Sequence, residues 1–276
     1  MGTDHLTRPD SGASAAADPP TDPRLGGDLA LALSLADEAD AISMARYRAA
    51  DLVVDTKPDL TPVTEADRAV EEALRARLAE ERPADLVLGE EFGGQPAASG
   101  RQWVIDPIDG TKNYVRGVPV WATLVALVSD GRVVVGVASA PALARRWWAA
   151  AGDGAHARGP EGTRRLRVSA VRSLPDASFS FSDQEGWPPG ALAALTGSAW
   201  RSRAYGDFWS HLLVAEGAVD VAAEPELSVW DIAALIPIVE EAGGRITGYD
   251  GAPALTAGSG LTTNGALHEQ VLALMD

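Results

Sequence analysis

Apolar residues begin to recur at helical spacing only after the first tenth of the chain. Residues 1–27 are rich in Asp, Pro, Ser, Thr, Gly and Ala and carry hardly any large apolar side chains. Burial therefore cannot offset the entropy of ordering them, and we expect a disordered leader. From Asp28, interpreted as an N-cap, the pattern predicts a helix to about Ala50. Its apolar face consists of Leu29, Leu33, Ala36, Ala39 and Ile42.

The remainder of the first half combines a second helix with strand-like segments. A short strand at residues 52–54 and a proline-punctuated loop at residues 57–64 precede a helix predicted over residues 65–81. Strand-like runs follow at residues 85–88, 102–105, 121–128 and 132–139. Ser129-Asp130-Gly131 joins the last two and predicts a β-hairpin. This half therefore mixes helices with an antiparallel sheet.

Beyond a boundary predicted near residues 158–170, strands alternate with helices. The strands are predicted at residues 178–181, 219–223, 245–247 and 260–263. The helices are predicted at residues 190–195, 209–216, 229–242 and 266–275, with Gly217 and Gly243 as C-terminal stops. The patterns together predict an α/β protein, a layered α+β sandwich with lobes at residues 28–160 and 161–276.

Composition narrows the possible functions. The formal net charge of −16 makes the surface a poor match for nucleic acid or an anionic membrane, since both need clustered Lys and Arg. The chain has no cysteine, which excludes disulfides, zinc–thiolate sites and cysteine nucleophiles. The longest apolar runs are interrupted and too short to cross a bilayer. The N-terminus lacks the pattern of a secretory signal, so we expect a cytoplasmic protein.

The most informative motif surrounds Asp106. An apolar run predicts a buried strand up to Ile105, and Pro107, which has no backbone N–H, is expected to end its pairing. Asp106 and Asp109 then stand at the open end of the strand, and Gly110 lets the backbone approach a ligand closely. Mg²⁺ takes such carboxylates together with water and phosphate oxygens. The alternative is an Asp-Pro turn followed by an Asx-type cap.

Other segments also place carboxylates at the ends of strands and helices. Glu90 ends a predicted strand, Glu224 ends another, and Asp231 lies in the first turn of an apolar helix. Thr64 and Asp67 open the second predicted helix with the pattern of a capping box. Each feature has an ordinary structural explanation when considered alone: a solvated acidic turn, a helix cap or a partner of the helix dipole.

Together these segments resemble the inositol-monophosphatase-like phosphatases, a Mg²⁺-dependent, lithium-sensitive family. The matching segments are residues 59–67, 89–91, 103–114, 230–231 and 240–244. They occur in the family's order and at compatible separations over most of the chain. The resemblance implies a sugar-phosphatase-like αβαβα arrangement of two lobes, a small phosphorylated alcohol as substrate, and a homodimer.

The resemblance also implies which residues hold Mg²⁺. Glu90, Asp106 and the backbone carbonyl of Ile108 would hold one ion, and Asp106, Asp109 and Asp231 a second. Glu90 would also reach a weaker third ion, which places it among the catalytic residues. Two ions that straddle a phosphate neutralise charge at both its entering and its leaving oxygen.

A second set of residues is implied to act on water and phosphate. Thr111, hydrogen-bonded to Asp67, would orient and help deprotonate a metal-bound water. The N–H groups of Gly110 and Thr111 would grip the phosphate, and no covalent phospho-enzyme is needed. The four histidines are scattered, and neither a Gly-x-Ser-x-Gly nor a P-loop pattern occurs. The sequence therefore lacks the motifs required for Ser/His catalysis and for ATP binding by a P-loop.

Residues 117–127, 205–209 and 223–231 look like the histidinol-phosphate phosphatase branch of the family. Asp207 and Glu224 would place negative charge near the leaving alcohol, which suits the ammonium and imidazole of histidinol phosphate. A helix-capping Asp and a strand-end Glu are the structural alternatives. The expected function is hydrolysis of L-histidinol phosphate. The alternatives are an inositol-1-monophosphatase or broader sugar-phosphate phosphatase, and a catalytically silent protein that binds divalent ions or phosphate.

Overall fold

The computed structural model describes residues 23–58, 60–97 and 99–275. The predicted leader lies outside the described residues except for residues 23–27. These belong to the first helix, α1 (Pro23–Arg46), so the expectation of disorder is wrong for them. Pro23 suits a first helical turn, where its missing N–H is not needed. Leu25 packs against an apolar core cluster, which favours the ordered helix.

A short hairpin leads from α1 into the second helix. Its strands are β1 (Val54–Thr56) and β2 (Pro62–Thr64), which pair antiparallel. β2 lies inside the segment predicted as a loop. The helix α2 (Glu65–Glu81) has the predicted bounds, and Thr64 and Asp67 form the predicted capping box at its start.

Seven strands form the larger sheet, ordered along it as in the chain. They are β3 (Leu86–Gly89), β4 (Arg101–Asp109), β5 (Ala122–Ser129), β6 (Arg132–Ala140), β7 (Arg145–Ala150), β8 (Gly154–Gly159) and β9 (Gly162–Arg165). β3 and β4 pair parallel, and the other neighbours pair antiparallel. The helix α3 (Thr111–Arg116) connects β4 to β5.

The expectation that Pro107 ends strand pairing is wrong. β4 continues to Asp109, which pairs with Ala122, and its register shifts between Asp106 and Asp109. Pro107 lies within this irregularity, where the ladder does not require its missing N–H. Its carbonyl accepts a hydrogen bond of 2.8 Å from the Thr123 hydroxyl, so this stretch stays attached to β5.

Five strands form the second sheet. They are β10 (Ser178–Ser180), β11 (Arg201–Arg203), β12 (Val221–Glu224), β13 (Arg245–Thr247) and β14 (Gly260–Thr263), in the order β11-β10-β12-β14-β13. The helices of this half are α4 (Ala191–Ser198), α5 (Asp207–Ala215), α6 (Val229–Ala233), α7 (Leu235–Glu241), α8 (Ala254–Ala257) and α9 (His268–Leu272). Sequence patterns predicted neither β11 nor α8.

The single helix predicted over residues 229–242 is interrupted at Ala234, between α6 and α7. Pro237 has no N–H to donate to the carbonyl four residues earlier, so a continuous helix would lose a bond here.

Helices separate and cover the two sheets. Trp103 and Ile105 of β4 pack with α1 and α2 on one face of the larger sheet. Val104, which points to the other face, belongs to a core that includes Phe208 of α5 and Leu235 of α7. α5 and α7 also contact the second sheet, and its opposite face packs with α4 and α9. The result is the αβαβα layering of an α/β protein.

Asp28 lies within α1, so its interpretation as an N-cap is wrong. Its carboxylate is buried and lies 3.2 Å from Arg82 and 2.9 Å from Arg101. It thus fastens α1 to the end of α2 and the start of β4. Within the described part of the chain, no helix combines the length and apolarity needed to span a membrane.

Candidate active site

Three carboxylates from two distant parts of the chain meet beside the irregular end of β4. Oxygen atoms of Asp106, Asp109 and Asp231 all lie within 4.8 Å of one another. Asp106 and Asp109 flank the register shift of β4, and Asp231 lies in the first turn of α6. Asp106 is 1% exposed, and its Oδ1 has no hydrogen-bond partner among the described residues.

Burial and nearby negative charges raise the pKa of all three carboxyl groups. Burial is the largest cause in each case, and the nearby charges of Glu90, Asp109 and Asp231 add to it at Asp106. The pKa of Asp231 rises to about 7. Buried like charges without a compensating cation are unfavourable. A group of three carboxylates with close oxygens, in which Oδ1 of Asp106 has no partner within the described part of the chain, therefore fits a hard divalent cation such as Mg²⁺.

Glu90 lies at the wall of the same cavity but outside this group of three. Lys57 donates to its Oε1 at 2.7 Å and to Oε1 of Glu91 at 2.6 Å. Glu90 is nevertheless close enough for its charge to raise the pKa of Asp106. The structure therefore brings together three of the four predicted acidic ligands and places the fourth beside them, in an ion pair.

Thr111 and Asp67 meet as the sequence predicted. The Thr111 hydroxyl lies 3.3 Å from Oδ1 of Asp67 and 3.0 Å from the carbonyl oxygen of Ile108, and it can donate to either. The other carboxylate oxygen of Asp67 accepts a bond of 2.8 Å from the backbone N–H of Thr64. Asp67 thus serves both as the helix cap and as a partner of Thr111. Its burial raises its pKa.

Gly110 forms the passage from β4 to α3 and lines the cavity together with Thr111. Its φ of 83° lies in the left-handed region that favours glycine. A Cβ at this position would approach the carbonyl oxygen of Val120 to 2.9 Å and Oδ2 of Asp207 to 3.3 Å. A larger residue at this position would therefore crowd the Val120 carbonyl and the Asp207 carboxylate.

Asp207 opens α5 on the opposite side of the cavity. Its Oδ2 accepts a bond of 2.8 Å from Asn113, and its backbone N–H donates to the Ser182 hydroxyl at 2.6 Å. Its φ of 48° is strained for a residue with a Cβ and is held by these contacts. Gly206 is the N-cap, so the helix-capping alternative for Asp207 is wrong. Burial raises its pKa to about 6.

Glu224 lies at the end of β12 and joins the same hydrogen-bonded group. Its Oε1 accepts a bond of 2.5 Å from the Ser182 hydroxyl, and only 6% of the residue is exposed. Burial, and to a smaller extent the charge of Asp207, raises its pKa to about 8. Ser182 therefore connects the two residues predicted to contact the substrate.

Most of these groups line one cavity of about 680 Å³; the buried Asp67 and Asp106 are not among its lining residues. Asp109, Asp231 and Thr111 lie on one part of its lining, and Ser182, Asp207 and Glu224 on another. The volume lies in the range typical of small-molecule sites. The cavity therefore has one end whose carboxylates could hold a cation and a second acidic end.

Sequence reasoning missed Lys57, Asn113 and Ser182, which orient the acidic side chains through polar contacts. Their partners lie tens of residues away, and no local pattern indicates them. Glu71 was also missed, although the sequence contains a signal. It stands one helical turn after Asp67 on the buried face of α2, where an apolar residue is expected.

Comparison with known proteins connects this geometry to a protein family. Residues 28–276 match the model of the inositol monophosphatase family. The chain is 59% identical over 255 residues to the "Histidinol-phosphatase" of Mycobacterium tuberculosis, covering 90% of this chain and 98% of that protein. It is 55% identical over 259 residues to the "Histidinol-phosphatase" of Streptomyces coelicolor, covering 90% and 97%.

Solved structures have the same fold at lower sequence identity. An IMPase of Thermotoga maritima superposes with a TM-score of 0.80 at 29% identity, covering 91% of this chain and 96% of that one. The extragenic suppressor protein suhB of Bartonella henselae superposes with a TM-score of 0.82 at 28% identity, covering 91% and 98%.

Proposed function

The chain belongs to the inositol monophosphatase family, and we propose that it hydrolyses L-histidinol phosphate to L-histidinol and phosphate. It is a phosphoric monoester hydrolase, as are its relatives named histidinol-phosphatase. The choice of substrate within the family depends on the second acidic end of the cavity.

The observation that carries this proposal is the proximity of Asp207 and Glu224. The Ser182 hydroxyl donates to the Glu224 carboxylate and accepts from the backbone N–H of Asp207. Both carboxyl groups line the cavity, and both are largely removed from water. An ammonium or imidazolium group of the substrate would favour the charged form of both carboxyl groups, against the effect of burial on their pKa, and form charge-assisted hydrogen bonds. A neutral polyol could offer only hydrogen bonds, which favours a cationic alcohol over inositol.

Asp106, Asp109 and Asp231 would hold the divalent cation, with Glu90 and the carbonyl of Ile108 as further ligands. A bound Mg²⁺ would neutralise phosphate charge and lower the pKa of water nearby. We propose two or three Mg²⁺ per site, because the acidic side chains outnumber what one ion needs. Lys57 binds Oε1 of Glu90, so Oε2 is the oxygen that would serve as the ligand while the ion pair stays intact.

Thr111 and Asp67 would orient the attacking water. Asp67 is buried and fixed by Thr64, so it can accept a proton from Thr111, whose hydroxyl would in turn accept a proton from water. The hydroxyl also reaches Ile108, which fixes its position next to the proposed ligands. The N–H groups of Gly110 and Thr111 would hold the phosphate oxygens as the ester is attacked.

The proposal extends to properties that follow from the resemblance. They are inhibition by Li⁺, assembly as a homodimer and a cytoplasmic location. The high coverage of relatives named histidinol-phosphatase supports a role in histidine biosynthesis.

The test compares kcat/KM for L-histidinol phosphate, inositol 1-phosphate and fructose 1,6-bisphosphate with saturating Mg²⁺. We expect histidinol phosphate to be preferred by at least about tenfold, which corresponds to ~1.4 kcal/mol in transition-state binding. A tenfold preference for inositol phosphate would contradict the substrate assignment and leave the phosphatase assignment intact.

A further inference from the structure

Glu71 of α2 is a buried carboxylate that contacts the turn carrying Glu90. None of its surface is exposed. Its Oε2 accepts a bond of 2.7 Å from the backbone N–H of Glu91, and its Oε1 lies 3.2 Å from the N–H of Phe92. The two backbone groups directly after Glu90 are thus held by one side chain from another element.

Arg75 completes this arrangement one helical turn further along α2. Its Nε donates to Oε1 of Glu71 at 2.7 Å, and its Nη2 donates to the carbonyl of Gly93. The guanidinium compensates the buried charge of Glu71 and reaches the far side of the same turn. The segment from Glu90 to Gly93 is therefore fixed to α2 at three backbone positions.

Gly89 shows how closely Glu71 approaches this turn. A Cβ at residue 89 would lie 2.0 Å from Oε1 of Glu71. On the other side, the N–H of Glu90 donates to the carbonyl of Ile105 in β4 at 3.2 Å. The backbone of Glu90 is thereby held between β4, which carries Asp106, and the Glu71 carboxylate.

We propose that Glu71 is a positioning residue that, together with Arg75, holds the backbone of Glu90 where its side chain can bind the divalent cation. The inference rests on the proposed function, in which Glu90 is a cation ligand. Groups that hydrogen-bond to the surroundings of a ligand commonly change metal affinity by about 10- to 100-fold when removed. Glu71 acts here through the main chain of the ligand's own turn.

Glu71→Gln tests this role, with Glu72→Gln as the matched control on the exposed side of the same helix. The amide keeps the size of the side chain but sets an NH₂ group against a backbone N–H or against Arg75. We expect Mg²⁺ binding, measured by calorimetry, to weaken by about tenfold or more. The Mg²⁺ concentration for half-maximal activity should rise equally, while kcat at saturating Mg²⁺ recovers to within a few-fold.

A purely stabilising role gives a different result. In that case Glu71→Gln lowers the melting temperature but leaves the Mg²⁺ dissociation constant unchanged, which would overturn the proposal. Should the Gln variant fail to fold, Arg75→Lys replaces it, because lysine keeps the charge but lacks the fork that joins Glu71 to Gly93. The same weakening of Mg²⁺ binding supports the proposal, and unchanged binding overturns it.

Gly89→Ala gives an independent measure, since its methyl group would displace the Glu71 carboxylate without changing any charge. It should weaken Mg²⁺ binding in the wild-type protein and add little in the Glu71→Ala background. Additive losses in the double variant would overturn the proposal. Two other measurements would show that the proposed function itself is wrong. In the first, the wild-type protein does not hydrolyse the ester; in the second, Glu90→Gln leaves Mg²⁺ binding unaltered.

Discussion

The backbone N–H of Phe208 donates a hydrogen bond of 2.9 Å to Oδ2 of Asp109. Asp109 ends β4 of the larger sheet, and Phe208 lies in the first turn of α5, the helix that Asp207 opens. The bond opposes the rise in the pKa of Asp109 that burial causes. It also fixes the acidic end that would recognise the substrate relative to the proposed cation site.

Replacing Asp106 by Asn should remove most of the activity, because it takes one charge from the centre of the buried acidic group. We expect kcat/KM to fall by at least ~10³. Steady-state assays at several Mg²⁺ concentrations check this. Asp153→Asn, the same change in an exposed hairpin, should have no effect. Activity of Asp106→Asn within a few-fold of wild type would exclude Asp106 as a ligand.

Thr111→Val should separate catalysis from cation binding. The change keeps the shape of the side chain but removes the hydroxyl that contacts Asp67 and Ile108. General-base catalysis contributes about 10²–10⁴ in rate, so kcat should fall within that range. Mg²⁺ affinity from calorimetry should remain near that of wild type. Thr111→Ser keeps the hydroxyl and should keep most of the rate; an equally inactive Ser variant would count against the water-orienting role.

Glu224→Gln should impair the cationic substrate selectively. Loss of the charge should raise KM for L-histidinol phosphate by roughly tenfold, the size expected of a charge-assisted bond, and should affect inositol 1-phosphate much less. Kinetics with both esters provide the check. Glu226→Gln, an exposed change at the rim of the same cavity, is the control. Equal losses on both substrates would show that Glu224 has no role in selecting the leaving alcohol.

The stabilising effect of Mg²⁺ should increase with pH. Burial raises the folded-state pKa of Asp231 from 3.8 to about 7, so the folded protein binds more protons than the unfolded chain between these values. This group's contribution to stability is therefore complete below pH 3.8 and is lost as the pH rises through 7. A cation that replaces the protons should restore it.

Melting temperatures with Mg²⁺ and with EDTA, compared at pH 6 and pH 8, measure this effect. The Mg²⁺-dependent increase should be larger at pH 8. Burial also lowers the pKa of His211. This does not disturb the comparison, because at each pH it changes the stability of the Mg²⁺ sample and of the EDTA sample equally. Asp106→Asn should show a smaller increase at both pH values. An increase in wild type that does not depend on pH would contradict the account of the acidic group.

The sequence predicted the bounds of those helices and strands that are determined by neighbouring residues. The bounds of α2 follow from the Thr64–Asp67 capping box and the apolar spacing behind it. β14 also has its predicted bounds. The break at Ala234 was missed because residues 232–239 are apolar without interruption, although Pro237 lacks the N–H that a continuous helix needs.

The candidate site was predictable where carboxylates end strands and helices. Asp106, Asp109 and Asp231 meet, as do Thr111 and Asp67. The pairing of Lys57 with Glu90, and the contacts of Ser182 with the Glu224 carboxylate and the Asp207 backbone N–H, join segments that are distant in the sequence. Such contacts form only when the sheets and helices pack together, so the spacing of residues in the sequence does not predict them.

The proposed mechanism requires carboxylates from separate segments to bind a divalent cation beside one cavity. A crystal grown with Mn²⁺, which accepts the oxygen ligands of Mg²⁺, tests it through anomalous scattering. We expect an anomalous peak in contact with Asp106, Asp109 and Asp231, and its loss in Asp106→Asn crystals. Well-ordered side chains at this position without a peak, in Mn²⁺ concentrations that support activity, would contradict it.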